Sequence, residues 1–195
     1  MTDGMIIPLF PLRTVLFPDG PLPLRIFETR YIDMVRRCMR SQGVFGVVQI
    51  QVGDEAGPVS AAASLGTSAR IVDFDQHEDG LLGILARGER RFRVLEHRVQ
   101  NDGLRIGTIE WIAESAPQPL PPEHAALAEL LGRLLPELGE PYSSLPLQLA
   151  DAGWVGSRLA EILPLPPDEK QNLLELDDPL ARITRLASLV RRNAG

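Results

Sequence analysis

The sequence predicts an α+β protein, β-rich with one main helix in its first part and all-helical in its second. Three observations carry this. Asp79-Gly80 and Asp102-Gly103 each separate runs rich in β-branched and apolar residues. Asp-Gly suits a tight hairpin turn, because glycine, and less easily aspartate, accepts positive φ. Residues 115–122, SAPQPLPP, hold four prolines in eight positions, which removes backbone donors and stiffens the chain into a boundary. Beyond it the period changes: Leu127, Leu130, Leu131, Leu134, Leu135 and Leu138 make one apolar helical stripe. The reading is a β-rich unit over 1–115, a linker over 116–122 and a helical unit over 123–195.

The first element is a short apolar strand from Ile6, followed by a proline-bounded loop to Pro18 and a second strand, Pro21 to Ile26. A helix follows from about Glu28 to Met39, with Tyr31, Met34, Val35 and Cys38 on one face and Asp33, Arg36, Arg37 and Arg40 on the other. Gly43 stops it. Val44 to Ile50 is short, β-branched and nearly all apolar, hence a buried strand. Residues 53–64 read as a loop of small and polar residues. The first hairpin joins Ala69–Asp75 to Leu81–Arg87, and the second joins Arg91–Val99 to Leu104–Ile112. Consecutive hairpins make an antiparallel meander, and this many strands suits a closed or half-closed β-barrel.

In the second part, Pro136 ends or kinks the leucine-striped helix. Asp151 caps a helix burying Val155, Leu159, Ile162 and Leu163. A short helix follows Pro166-Pro167. The last has Asp178 as N-cap, Pro179 at its first position, and Arg191 and Arg192 in its final turn, where cations suit the dipole. Its core face is Leu180, Ile183, Ala187 and Val190.

A chain of 195 residues with 44% hydrophobic and 24% charged residues buries roughly 70% of its unfolded surface without covalent staples. Cys38 is the single cysteine, so no internal disulfide forms, and its place on the apolar helix face makes it a buried, reduced thiol. A net charge of −6 speaks against general binding to nucleic acid, whose affinity rests largely on neutralising phosphates. Nineteen of the twenty basic residues are arginine; the lysine is Lys170. No signal peptide and no apolar run of ~20 residues is visible, so the expected location is the cytoplasm, with no membrane contact.

No catalytic motif emerges. His77, His97 and His124 lack a second histidine or cysteine at ligand spacing, so no metal is expected. Asp75 to Gly80 echoes the start of a calcium loop, but its twelfth position is Ala86, where the site needs glutamate. Gly66-Thr67-Ser68-Ala69-Arg70 lacks the last glycine of a nucleophile elbow and lies between β segments. No phosphate loop is present. A Ser–Lys dyad would need Lys170, which reads as a surface lysine. The expectation is a protein that is not an enzyme and uses no cofactor. Phe10, Leu12, Phe17, Trp111 and Trp154 then stand between two readings, core packing or a groove for extended apolar peptide.

The chain resembles the Lon protease N-terminal domain family over nearly its full length. The matching pieces are Pro8-Leu9-Phe10-Pro11-Leu12-Arg13 with Leu16-Phe17-Pro18, then Leu22 to Glu28 with Arg30-Tyr31. Leu65-Gly66-Thr67, Gly88 to Val94, and Lys170 to Glu175 follow in order. The resemblance implies a PUA-like β-barrel followed by a helical bundle, in a free-standing form without ATPase or peptidase domains. It implies a module that recognises unfolded or extended polypeptides for a protease or chaperone system. It draws attention to Arg13, Arg25, Glu28, Arg30 and Arg90, as ion pairs fixing the loop against helix and hairpin or as recognition groups. It assigns Gly66 and Gly88 to turns needing positive φ. A homo-oligomer is compatible with it. Two rival readings are carried. The first is an RNA-binding PUA-like protein, on the arginines at 87, 90, 91, 93 and 98. The second is an enzyme or protease accessory with an unrecognised site.

Overall fold

A computed structural model describes residues 4–55, 59–76 and 81–193. Strand β1 (Met5–Leu12) starts exposed at Met5 and Ile6 and is buried on both faces from Leu9 to Leu12. Phe10 and Leu12 enter one core cluster with Tyr31, Met34, Val35, Phe45 and Leu104. Ile7 and Leu9 enter a second with Val48, Phe92 and Ile109. The Phe10 and Tyr31 rings stack with centroids 3.9 Å apart.

After β1 the chain forms β2 (Pro21–Ile26), α1 (Thr29–Ser41) and β3 (Phe45–Gly53). Helix α1 buries Tyr31, Met34, Val35 and Cys38, the four residues its periodicity predicts. Burial pushes the Cys38 thiol above its ordinary pKa. The helix ends two residues before Gly43: the C-cap Gln42 takes the left-handed conformation at φ 50°, and the Gly43 N–H closes onto the Cys38 carbonyl at 2.9 Å.

The remaining strands are β4 (Val59–Gln76), β5 (Leu82–Val99) and β6 (Arg105–Trp111). The sheet is mixed, in the order β2-β5-β4-β3-β1-β6, with β6 also paired to β5. The all-antiparallel expectation fails at one place: β1 and β3 run parallel, Leu9 opposite Gly46. Parallel neighbours need a crossover, and β2 with α1 supplies it.

Both long strands outrun their sequence signals. Residues 59–64 are strand and not loop, with Ala61 and Ala62 opposite Val52 and Ile50. The runs 81–87 and 91–99 fuse into β5. The Asp79-Gly80 turn lies outside the described residues. The Asp102-Gly103 turn is built as its sequence predicts. Gly103 sits at φ +84°, its N–H donates to the Gln100 carbonyl, and the Gln100 N–H donates to Leu104.

Gly66 and Gly88 do not take positive φ. They are strand glycines where another chain segment comes too close for a side chain. A Cβ on Gly88 would overlap the Phe17 carbonyl oxygen, and one on Gly66 the Val47 carbonyl oxygen. At Gly88 the loop before β2 is pinned on both sides: the Asp19 N–H donates to the Gly88 carbonyl at 2.9 Å, and the Gly88 N–H donates to Gly20 at 2.8 Å. The buried Thr67 hydroxyl donates to the Leu16 carbonyl of the same loop at 2.6 Å.

The chain divides into two compact units, Met1–Ala113 and Glu114–Gly195. The second begins with prolines and a short 3-10 turn, Pro122–His124, then α2 (Ala125–Glu137), α3 (Ala152–Ile162), α4 (Pro167–Glu175) and α5 (Pro179–Asn193). In α2 the buried face is Leu127, Ala128, Leu131 and Leu135, and Leu138 lies exposed beyond the helix. Asp151 caps α3, accepting from the Gly153 N–H at 2.8 Å. Helix α3 departs from the expected single apolar face. Every residue from Trp154 to Ala160 is buried, while Ile162 and Leu163 are only partly so. Asp178 accepts from the Leu180 N–H at 3.0 Å at the start of α5. Its buried side is Arg182, Ile183, Leu186, Ala187 and Leu189, one position round from the predicted Leu180 and Val190.

Gly88→Ala should destabilise the protein by roughly 2 kcal/mol or more, because backbone cannot yield as a flexible side chain would. Gly139, at φ +67° with nothing within 4 Å of a new Cβ, should cost only about 1 kcal/mol when changed to alanine. Urea unfolding of the two variants checks the order.

Candidate functional site

A concave, largely apolar surface of the first unit lies between α1 and the β4–β5 hairpin. Its cavity, about 440 Å³, is lined on the helix side by Ile32, Val35, Arg36 and Met39, and on the hairpin side by Phe74, Asp75, Leu81 and Leu82, with Ile26 of β2. The spacing of Ile32, Val35, Arg36 and Met39 places them along one side of a helix. Leu82, Phe74 and Asp75 come together because β4 and β5 pair with Phe74 opposite Ile84 and Gln76 opposite Leu82. A second cavity of about 370 Å³ shares Phe74 and Asp75 and continues over Pro23, Leu24 and Arg25 of β2.

Phe74 is 59% exposed, Phe27 60% and Met39 38%. Exposed aromatic side chains beside a concave apolar surface mark binding sites more often than inert surface. Aspartates flank Phe74 at 73 and 75, so the sequence shows a lone aromatic between charges. The same pattern suits a solvated hairpin, so by itself it does not mark a site.

The sequence-predicted residues lie elsewhere. Phe10, Leu12, Phe17 and Trp154 are buried, Phe17 completely. They are core, because a side chain with no exposed surface meets a ligand only if its surroundings open. Trp111 is half-buried. Its ring lies edge-on to Phe92 and carries the Arg90 guanidinium 4.7 Å from its centroid. The charged residues do not form one network. Glu28 and Arg30 pair at 2.6 Å, and Arg30 also donates to the Gly103 carbonyl at 3.1 Å, tying α1 to the β5–β6 turn. Arg13 pairs with Asp54 and donates to the Gly53 carbonyl at 3.0 Å. Arg25 is exposed on β2. The arginine stripe of the RNA reading is broken: Arg91 is buried, Arg87 pairs with Asp19, and Arg90 lies on Trp111.

The helical unit holds a buried charged cluster that the sequence did not reveal. Arg158 pairs with Glu161 at 2.7 Å, one turn along α3. The Tyr142 hydroxyl donates to the other Glu161 oxygen at 2.6 Å. Lys170 is half-buried, not a simple surface lysine, and its ammonium donates to the Glu161 main-chain carbonyl at 2.6 Å. It satisfies a carbonyl near the end of α3, as a C-terminal cation should. Burial raises the Glu161 carboxyl above its ordinary pKa and lowers Lys170. Burial first, and then the Glu161 charge, raises Tyr142. Among the described residues no group of three His, Cys, Asp or Glu side chains is placed to hold a metal ion. No helix of the described residues is long and apolar enough to cross a membrane.

Comparison with known proteins shows a family that covers nearly the whole chain. Residues 6–192 match the model of the ATP-dependent protease La (LON) substrate-binding domain. The chain is 28% identical over 194 residues to a Lon protease of Anaeromyxobacter dehalogenans, covering 96% of this chain and 23% of that protein. It therefore spans about a quarter of the length of the curated Lon proteases it matches. It is similar to the crystal structure of a Lon N-terminal domain protein from Xanthomonas campestris, with a TM-score of 0.78, 41% identity, and coverage of 94% of this chain and 98% of that one. The N-terminal domain of the Mycobacterium avium complex Lon protease gives a TM-score of 0.66 at 19% identity, covering 94% and 97%, a likeness of fold alone.

The Glu161 cluster and the exposed Arg185–Glu169 pair make contrasting tests. Glu161→Gln should destabilise the chain by about 3 kcal/mol, as expected when one partner of a buried pair is removed. Arg185→Ala should cost less than about 1 kcal/mol. Tyr142 has a folded pKa above its unfolded value of about 10. Its contribution is therefore complete below pH ~10 and lost as pH rises beyond it. Tyr142→Phe should flatten that alkaline loss in urea unfolding measured between pH 8 and 11.

Proposed function

The chain belongs to the Lon substrate-binding domain family, and from that premise we propose that it is a non-catalytic module that holds extended apolar segments of other polypeptides. We place the binding surface in the groove between α1 and the β4–β5 hairpin. The observation that carries this is the exposed Phe74, set with Met39 in an apolar cleft lined also by Ile26, Ile32, Val35 and Leu82. An apolar side chain entering it buries area worth roughly 25 cal/mol per Å².

The finer architecture supports the same reading. Because β6 returns to pair with β5, we read the strands as a PUA-like barrel with β2 added at its edge. We read α2 to α5 as a helical bundle forming a separate unit. The partners follow from the family: unfolded or extended polypeptides presented within a protease or chaperone system of the cytoplasm.

The 195-residue protein should bind a reduced, alkylated, unfolded polypeptide and leave its folded parent unbound. Phe74→Asp should weaken that binding at least about tenfold, with the circular dichroism spectrum unchanged. Equal affinity for folded and unfolded forms, or an unaltered affinity in Phe74→Asp, defeats the proposal.

A further inference from the structure

We infer that the groove selects segments in which an apolar side chain lies between an acidic residue on one side and a basic residue on the other. This rests on the groove reading above and deepens it.

The two walls carry opposite charge. On α1, Arg36 lines the cavity, and Arg40 follows one turn later, its Nε 3.4 Å from the Arg36 carbonyl. Arg37 is also exposed, and Asp33 is the acidic residue among them. On the hairpin, Asp75 lines the cavity and Asp73 lines its continuation over β2. Both aspartates are exposed on either side of Phe74. The floor between the walls is apolar. A segment with two acidic flanks meets repulsion at the hairpin, and one with two basic flanks meets it at the helix. A mixed-charge segment lies complementary to both, which is how rim charges discriminate between partners.

Arg36 is available for such a role. Its contact with Asp33 is long, 3.4 Å, and both side chains are at least half exposed. An exposed pair of this kind holds weakly, so an incoming carboxylate displaces it at small cost. Arg37 and Arg40 add positive potential along the same helix without facing the apolar floor.

Four peptides with one apolar centre and different flanks test this: acidic–basic, both acidic, both basic, and neutral. Fluorescence anisotropy with the full chain should show the mixed peptide binding about fivefold tighter than the neutral one at 50 mM salt, as two rim pairs allow. The advantage should shrink at 500 mM salt through screening. Arg36→Glu, on an exposed helix position, should move the preference from the mixed peptide to the one with two basic flanks, because both walls are then acidic. Equal affinity for all four peptides overturns this inference and leaves the binding function standing. Tightest binding of a uniformly charged peptide also overturns it. Binding of none overturns both. Self-association abolished by Phe74→Asp would place a second copy of the chain in the groove and overturn the inference too.

Discussion

The β-rich unit depends on one handover along β5. This strand pairs with β4 along one edge through Phe92 and Arg93. Along its other edge it pairs first with β2, Pro21 opposite Arg87, and later with β6, Phe92 opposite Trp111. Between the two partners lies Gly88, where the loop of residues 13–20 occupies the vacant hydrogen-bonding edge. Any side chain at Gly88 would push that loop away, expose Phe17 and Leu16, and break the continuity between β2 and β6. Backbone groups buried in such a place must be paired, and here Asp19, Gly20 and Thr67 supply the pairing. The proline-bounded loop is therefore a structural wedge. Its apolar residues Val15, Leu16 and Phe17 are buried in the wedge.

This explains which parts of the molecule were legible. Periodicity found α1 to within two residues because one wall of the core needs one helical face. Capping chemistry found α3 and α5, since Asp151 and Asp178 act through local bonds that a sequence displays. The parallel pairing of β1 and β3 was invisible, because strand order is a non-local property. The fusion of two runs into β5 was hidden for a related reason. Gly88-Glu89-Arg90 looks like a turn when only local preference is weighed, yet the glycine answers a distant backbone. Phe10 and Phe17 look available at strand ends in the sequence and are buried in the fold, whereas Phe74 is exposed, because the order of strands decides which face is covered. Within α3 the single-face expectation failed for the same reason: neighbours on all sides bury Arg158 and Ser157 along with the leucine and valine.

The helical unit shows how charge is kept inside. Arg158, Glu161, Tyr142 and Lys170 meet around one carboxylate and one main-chain carbonyl. Desolvating a lone carboxylate costs several kcal/mol, and here an arginine and a phenol share that cost. Such a cluster adds little net stability over an apolar replacement, but it penalises every arrangement that separates its members. With the helix caps it helps to define one packing of α3 against α4 in a unit whose leucines alone are permissive.

The shape of the exposed surface also decides how a polypeptide can be held. Strand β2 has a free edge in the described sheet order, and free edges invite strand addition. Two of its six residues are proline, at 21 and 23. Pairing with β5 runs uninterrupted through both, so their missing N–H groups fall on the outer edge. An added strand would find few donors there, which is how natural sheets blunt an edge. Backbone-led capture, indifferent to side chains, is thereby disfavoured. The proposed binding route is therefore the side-chain groove beside it, where apolar contact would supply affinity and the charged walls would supply choice.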